Sequence, residues 1–380
     1  MKRLFLVILI ISIFFGIYFI VNNYFPYLVS NTIPVSKNIV QYLPASNKTT
    51  SPFNLLNGYK IDVFADLKND LPRAMTFDDN QNMIVSLPSK GKVTVLSDLN
   101  NDLKIDKRKD ILFKLNKPHG LEYKDGYLYV AETNMVSRYM YNFNTQEIGQ
   151  KEILFELPAD GRHFTRTIKI NGNKLYTSIG SSCNVCIEKN IFRASILVSE
   201  LDGSNLEVFA KGLRNTVFFD FDKFGKMWGA DIGRDNLGDN LPPDEINIIE
   251  RGNDYGWPYC YSNNIKDLKY DSDEKNQCNN KVGSIYDLPA HSSPLGLTFD
   301  SANNIYVALH GSKNSSFSVG YKIIKLTTFA DRISDVEDFV TGFLSDSGNV
   351  LGRPSGLIFD KDGNLYISDD KSGLIYVVSD

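Results

Sequence analysis

Leu121-Glu122-Tyr123, then Lys124-Asp125-Gly126, then Tyr127-Leu128-Tyr129-Val130-Ala131 is the stretch from which the fold can be read. Two segments of period-2 alternation flank a short turn of Asp and Gly, which is the signature of a β-hairpin. The unit recurs five more times. Met75-Thr76-Phe77 turns into Met83–Leu87, and Ile168-Lys169-Ile170 crosses Asn171-Gly172-Asn173 into Lys174–Ser178. Phe219-Asp220-Phe221 leads to Met227–Ala230, and Leu297-Thr298-Phe299 to Ile305–Ala308. Leu357-Ile358-Phe359 crosses Asp362-Gly363-Asn364 into Leu365–Ser368. The anchors Phe77, Tyr123, Ile170 and Phe221 lie roughly one propeller blade apart, about 40–50 residues. The longer intervals to Phe299 and Phe359 must hold insertions. A third strand follows in Tyr321–Leu326 and Leu374–Val378, and no segment here shows a helical period. The expectation is an all-β, six-bladed β-propeller of four-stranded antiparallel blades, in which radial repetition protects sheet edges. Tyr59–Phe64 is expected to close the ring by pairing into the last blade. A two-domain sandwich would not produce six similar hairpins at blade spacing.

The N-terminus reads differently. Met1-Lys2-Arg3 precedes an apolar run from Leu4 to Val21, long enough to span a bilayer as a helix. Lys2 and Arg3 are expected to stay inside, so the rest is exported. Val21–Phe25 offers no small-x-small cleavage site, which favours an uncleaved anchor over a cleaved signal peptide. The organisation expected is an anchor helix over residues 1–25, a Ser/Asn/Thr/Pro-rich linker over 26–54 and a catalytic propeller over 55–380. The propeller would then sit on the periplasmic or extracellular face of the cytoplasmic membrane, or be secreted if the anchor is cut. The formal charge of −4 and the scattered Lys and Arg exclude a nucleic-acid footprint. Four cysteines in an exported chain suggest disulfides. Local pairing, Cys183 with Cys186 and Cys260 with Cys278, is the first expectation, and a four-thiolate zinc site is the open alternative.

Propeller ligands sit on the axis, among the loops that enter and leave the hairpins. His119 and His163 precede repeats two and three, His310 ends repeat five and His291 lies just upstream of it. Arg166, Arg214-Asn215 and Arg353 stand before repeats three, four and six. Cations at several blade mouths suit an anionic ligand, because guanidinium binds carboxylates in a bidentate way. The insertion after repeat four carries Asp231, Asp235, Asp239 and Asp244-Glu245, oxygen-rich as calcium requires but without EF-hand spacing.

Several blocks run in fixed order: His163-Phe164-Thr165-Arg166, Gly180–Cys186, Gly212-Leu213-Arg214-Asn215, Trp228–Asp235, Pro242–Asn247, Asp254–Cys260 and His310-Gly311-Ser312. Together they resemble the soluble aldose/glucose and sorbosone dehydrogenases that use pyrroloquinoline quinone (PQQ), nearest the sorbosone-dehydrogenase-like branch. The resemblance covers about Leu55 to the C-terminus. It implies a six-bladed propeller that oxidises a sugar by hydride transfer to the quinone, with electrons passed to a quinone or cytochrome acceptor. It implies His163 as the base, with Arg214 and Asn215 at the quinone oxygens. Arg166 and Arg353, with Lys313 or Lys322, are the further cofactor-binding positions. It also implies calcium on the backbone carbonyls of Gly233 and Arg234, with Glu245 and Tyr255 at a second calcium position. Two other readings stay open: a propeller without cofactor that binds carbohydrate or protein, and a calcium-dependent lactone hydrolase.

Overall fold

A computed structural model describes residues 52–270 and 277–380. The expected anchor and residues 26–51 of the expected linker lie outside the described residues. Six antiparallel blades follow one another in ring order, each built on four strands, and a separate two-stranded sheet, Cys260–Tyr261 with Ile265–Lys266, lies in the insertion of blade four. Blade one runs Met75–Phe77, Met83–Leu87, Lys92–Ser97 and Lys107–Leu112. Blade two runs Leu121–Lys124, Tyr127–Glu132, Met135–Asn142 and Glu147–Glu156, and blade three Ile168–Asn171, Lys174–Ile179, Ser195–Glu200 and Glu207–Lys211. Blade four uses Thr216–Phe221, Met227–Asp231 and Asp244–Ile249, then takes Tyr286–Leu288 as its fourth strand after a long insertion. Blade five is Pro294–Phe299, Ile305–Leu309, Lys322–Phe329 and Arg332–Thr341. It gains a fifth strand from Asn54–Leu55, so the end of the expected linker belongs to the sheet. Among the described residues the helical element is a single 3-10 turn, Pro88–Lys90, and no helix is long and apolar enough to cross a membrane.

Blade six shows how the ring closes. Pro354–Phe359, Leu365–Asp369 and Leu374–Ser379 receive their fourth strand, Lys60–Asp66, from the other end of the domain. This is the pairing expected of Tyr59–Phe64. The innermost strand of each blade touches the innermost strands of its two neighbours, so the six surround the axis.

Turn chemistry is repeated as well. In blade two, Asp125 and Gly126 both take positive φ (50° and 80°), the two-residue turn that suits a right-twisted hairpin. In blades four and six an aspartate does the work instead. Asp360 Oδ1 accepts the backbone N–H groups of Asp362 and Asn364 at 2.9 and 2.8 Å, and Asp222 Oδ1 those of Phe224 and Lys226 at 2.9 Å each. The second oxygen accepts a ring donor from the following strand, Tyr366 OH at 3.3 Å or Trp228 Nε1 at 3.2 Å. Asp300 with Tyr306 repeats the pattern in blade five.

The middle residues of neighbouring inner strands meet on the axis. Lys169 lies 3.6 Å from Glu122 and 3.4 Å from Asp220, and Thr298 Oγ1 donates to Asp220 at 3.2 Å. Burial pushes Glu122 up to about 7. Both disulfides are formed in the local pairing, Cys183–Cys186 and Cys260–Cys278, which sets aside a four-thiolate zinc site.

Phe64 tests the closure. Its ring is 5% exposed and meets the Tyr366 ring edge-on at 5.0 Å across the seam. Phe64→Ala should cost about 3–5 kcal/mol, read as a fall in unfolding free energy by urea titration. A change below about 1 kcal/mol would show that the seam does not limit stability.

Candidate active site

A cavity of about 290 Å³ opens among the loops at one end of the axis. Val217 and Leu295 line it, backed by Ala74 and Phe218 in one apolar cluster. Of the residues expected here, His163, Arg214, Asn215, His291, His310, Lys313 and Arg353 line the cavity. Arg73, Arg162, Ser293 and Asn314 line it too and were not anticipated, and Asp235 of the acidic insertion joins them. Arg73 carried a usable signal. It stands two residues before its inner strand, the offset also held by His119, Arg166 and Arg214.

One device positions both principal arginines. Asp231, the last residue of its strand, accepts Arg214 N at 2.9 Å, Asn215 N at 2.7 Å and Thr216 Oγ1 at 3.0 Å. Asp369, at the same place in blade six, accepts Arg353 N at 2.9 Å. The guanidinium of Arg214 then donates only to neutral oxygens: Nε to Asn184 O (2.8 Å), Nη1 to Ile232 O (2.9 Å) and Nη2 to Asn184 Oδ1 (2.9 Å). Burial pushes its pKa down to about 10, and it stays charged at neutral pH. Arg353 donates to Gly311 O at 2.9 Å, Ser312 O at 3.2 Å and Tyr321 OH at 3.1 Å, and its guanidinium lies over the Tyr321 ring.

Arg353 Nη1 also faces His310 Nδ1 at 3.3 Å, so that nitrogen accepts and the proton sits on Nε2, which donates to Asp370 at 2.8 Å. Asp370 is paired in turn with Arg73 at 2.7 Å. Burial opposes its ionisation, but His310 and Arg73 outweigh it and hold the carboxyl at about 2. Arg162 is paired with Asp235 at 2.8 Å. Arg214, Arg353 and Lys313 remain without a carboxylate partner among the described residues. Two of these three are buried or nearly so. Asp235, Asp231 and Asp244 act on Arg214 across space, as Asp370 does on Arg353, but none contacts either guanidinium, so the cavity presents cations to an incoming anion.

His163 is fixed from the opposite side. Its Nδ1 lies 2.8 Å from Ser181 O and 3.0 Å from Ser181 Oγ. That hydroxyl donates to Cys183 O at 2.8 Å, so Nδ1 carries the ring proton and Nε2 keeps a lone pair. Burial, then the charge of Arg214, pushes His163 down to about 3, so the ring is neutral. Gly180 is required beside it, since a Cβ there would lie 2.8 Å from His163 Cβ and 2.3 Å from Asn215 Oδ1.

Three expected residues are elsewhere. Arg166 does not line the cavity. It is fully buried beneath the His163 loop, donating to His163 O at 3.0 Å, Thr165 O at 2.8 Å and Pro158 O at 2.7 Å. The loop folds over it, which turns an expected cofactor ligand into a backbone clamp. Lys322 is carried by strand alternation to Asp338 on the neighbouring strand, 2.6 Å away. His119, expected on the channel, is fully buried with Nδ1 3.3 Å from Thr167 Oγ1 and its ring against Phe218.

Gly233, Arg234, Glu245 and Tyr255 come together with Asp231 and Asp267 around a separate hollow of about 20 Å³, room for one water or ion. Arg234 lies 3.0 Å from Asp267. Burial and then the charge of Asp231 push Glu245 up to about 8, a repulsion that a cation would relieve. The Arg234 guanidinium shares the hollow and occupies Asp267, which leaves Glu245 and Asp231 as the carboxylates facing it.

Fold and site together define a class: a six-bladed propeller with a cationic axial cavity and a neutral histidine at its wall. The chain belongs to the TrAA12-like family, whose model matches residues 53–380. An uncharacterised protein of Borreliella burgdorferi is 32% identical, covering 94% of this chain and 97% of that one. A PQQ-dependent pyranose dehydrogenase of Coprinopsis cinerea is 25% identical across 88% of this chain, which spans 56% of that protein's length. The holo PQQ domain of pyranose dehydrogenase from Coprinopsis cinerea superposes with a TM-score of 0.77 at 23% identity, covering 88% of this chain and 98% of that one. The apo soluble aldose sugar dehydrogenase of Escherichia coli superposes with a TM-score of 0.62 at 14% identity, covering 84% and 99%. The resemblance to PQQ-dependent sugar dehydrogenases drawn from the motifs is thus borne out, though not its placement nearest the sorbosone-dehydrogenase-like branch, and the superpositions bear out the fold.

The buried histidines make a pH prediction. Burial pushes His119, like His163, down to about 3, below the ordinary 6.5. The unfolded chain therefore binds the extra protons between these values, so the contribution is intact above about pH 6.5 and lost as pH falls toward 3. In His119→Phe the melting temperature should fall less steeply between about pH 7 and 4. A slope equal to that of the unmutated chain excludes His119 as a source of acid lability.

Proposed function

We propose that this chain oxidises an aldose or related sugar with PQQ held in the axial cavity. The observation that carries the reading is a set of three cations, Arg214, Arg353 and Lys313, in contact with no carboxylate among the described residues and sharing the cavity with a neutral histidine. PQQ is a planar tricarboxylate, and guanidinium recognises carboxylates and quinone oxygens through charge-assisted hydrogen bonds. Bound there, PQQ would supply an electrophilic carbonyl carbon that accepts a hydride, and calcium on the Gly233 and Arg234 carbonyls would supply Lewis acidity, with Glu245 and Tyr255 at a second calcium position. Arg353 and Lys313 would bind carboxylates. Arg214 and Asn215 would hydrogen-bond the oxygens on which negative charge grows.

His163 Nε2 takes the sugar's hydroxyl proton as the C–H electron pair leaves, while Ser181 keeps the ring oriented through Nδ1. Arg214 and Arg162 disfavour the resulting imidazolium, which favours its prompt loss of the proton to solvent at the mouth. A lactone hydrolase would need carboxylates converging on the axis. Asp235 is the acid lining this cavity, and it is engaged by Arg162. The apolar run Leu4–Val21 and the two disulfides support a propeller held on the outer face of the cytoplasmic membrane, with electrons leaving to a respiratory quinone or cytochrome.

Purified protein reconstituted with PQQ and calcium should reduce a dye in a sugar-dependent way. His163→Ala should lower turnover by about 10²–10⁴-fold, with PQQ affinity unchanged in an absorbance titration. No PQQ binding and no activity across aldoses and sorbosone overturns the proposal and leaves a binding propeller.

A further inference from the structure

The Cys183–Cys186 disulfide encloses only Asn184 and Val185. Cross-linking so short a segment restrains the unfolded chain little, since chain-entropy stabilisation grows with loop length. Its contribution should therefore be sought locally, and the contacts of Asn184 show where. Asn184 O and Oδ1 accept two of the three Arg214 hydrogen bonds. Oδ1 also accepts Asp235 N at 2.9 Å, and Nδ2 donates to Asp235 O at 3.2 Å. Asp235 in turn pairs with Arg162 at the cavity wall. The same segment is tied at both ends. Glu188 accepts Ser182 N at 2.6 Å and Ser182 Oγ at 2.8 Å, and Tyr270 OH donates to Val185 O at 2.9 Å.

We propose that Asn184, held by the Cys183–Cys186 disulfide, is a positioning residue for Arg214, so that reducing this disulfide loosens the arginine and weakens the site. The inference rests on the functional reading above, in which Arg214 faces the quinone. No carboxylate holds Arg214 among the described residues, so its direction depends on these neutral acceptors. Both cysteines are partly exposed and within reach of a small dithiol. Such a reagent delivers two electrons and two protons to the S–S bond, giving two thiols and its own cyclic disulfide. The segment Asn184–Val185 is then released from its tether, and the amide no longer has one enforced direction.

The test uses the full chain and an absorbance titration with PQQ, read beside turnover. Asn184→Ala and the Cys183→Ser/Cys186→Ser pair should each weaken PQQ binding and lower turnover by about 10- to 100-fold, as expected for lost hydrogen bonds to a charged group. The triple variant should be no worse than the more damaged of the two, because both act through one element. The folded, unmutated chain reduced with dithiothreitol, then freed of the reagent before PQQ is added, should show the same loss and recover on reoxidation, which covers the case of variants that do not fold. In the serine pair, dithiothreitol should have no further effect. Unchanged PQQ affinity in Asn184→Ala and in the serine pair, while Arg214→Ala is impaired, overturns this inference alone. Unchanged affinity and turnover in Arg214→Ala overturns the functional reading and this inference with it.

Discussion

Everything in this domain hangs on the antiparallel pairing of Lys60–Asp66 with Leu374–Ser379. A propeller is a row of sheets, and a row has two open ends. Joining them within one blade, by strands drawn from opposite ends of the domain, converts a row into a ring. Only in a ring do six inner strands surround an axis, and only then can loops from blade one and blades three to six face one another across a cavity. Asn54–Leu55 extends the same logic one strand further, onto the edge of blade five.

The cavity is assembled at some cost to the fold. Asp231 and Asp369 are each consumed in shaping the backbone that carries an arginine. Neither makes an ion pair with the guanidinium, although Asp231 acts on Arg214 across space. The two other arginines at the wall have acid partners, so the imbalance is concentrated at Arg214, Arg353 and Lys313. The neutral His163 belongs to the same arrangement. Burial and positive neighbours keep it neutral, with the Nε2 lone pair free.

Much of this was legible in the sequence, for physical reasons that can be named. Period-2 alternation and turns such as Asp125-Gly126 report local backbone geometry, so hairpins, blade number and ring closure could be read. Arg214 and Arg353 could be found because a residue just before an inner strand must lie near the axis. Nearness is not direction, however. Arg166 stands at the same offset as Arg214, yet its loop folds over it and its guanidinium binds the carbonyls of Pro158, His163 and Thr165. Lys322 was carried away by the alternation of its own strand. The Arg162–Asp235 pair joins positions 73 residues apart, and Asn184 meets Arg214 across 30. No local pattern announces contacts of that kind. The cysteines were expected to pair locally, but what their short loop holds became visible only in three dimensions.

The apolar floor has a kinetic meaning. Val217 and Leu295 close the cavity from below with Ala74 and Phe218 behind them. Roughly three residues further along the inner strands, about 10 Å, Lys169 bridges Glu122 and Asp220 across the axis. These two layers fill the axis beneath the cavity with side chains. On the proposed reading, sugar and any acceptor small enough to reach the cofactor directly both approach from the loop side, so they compete for one face.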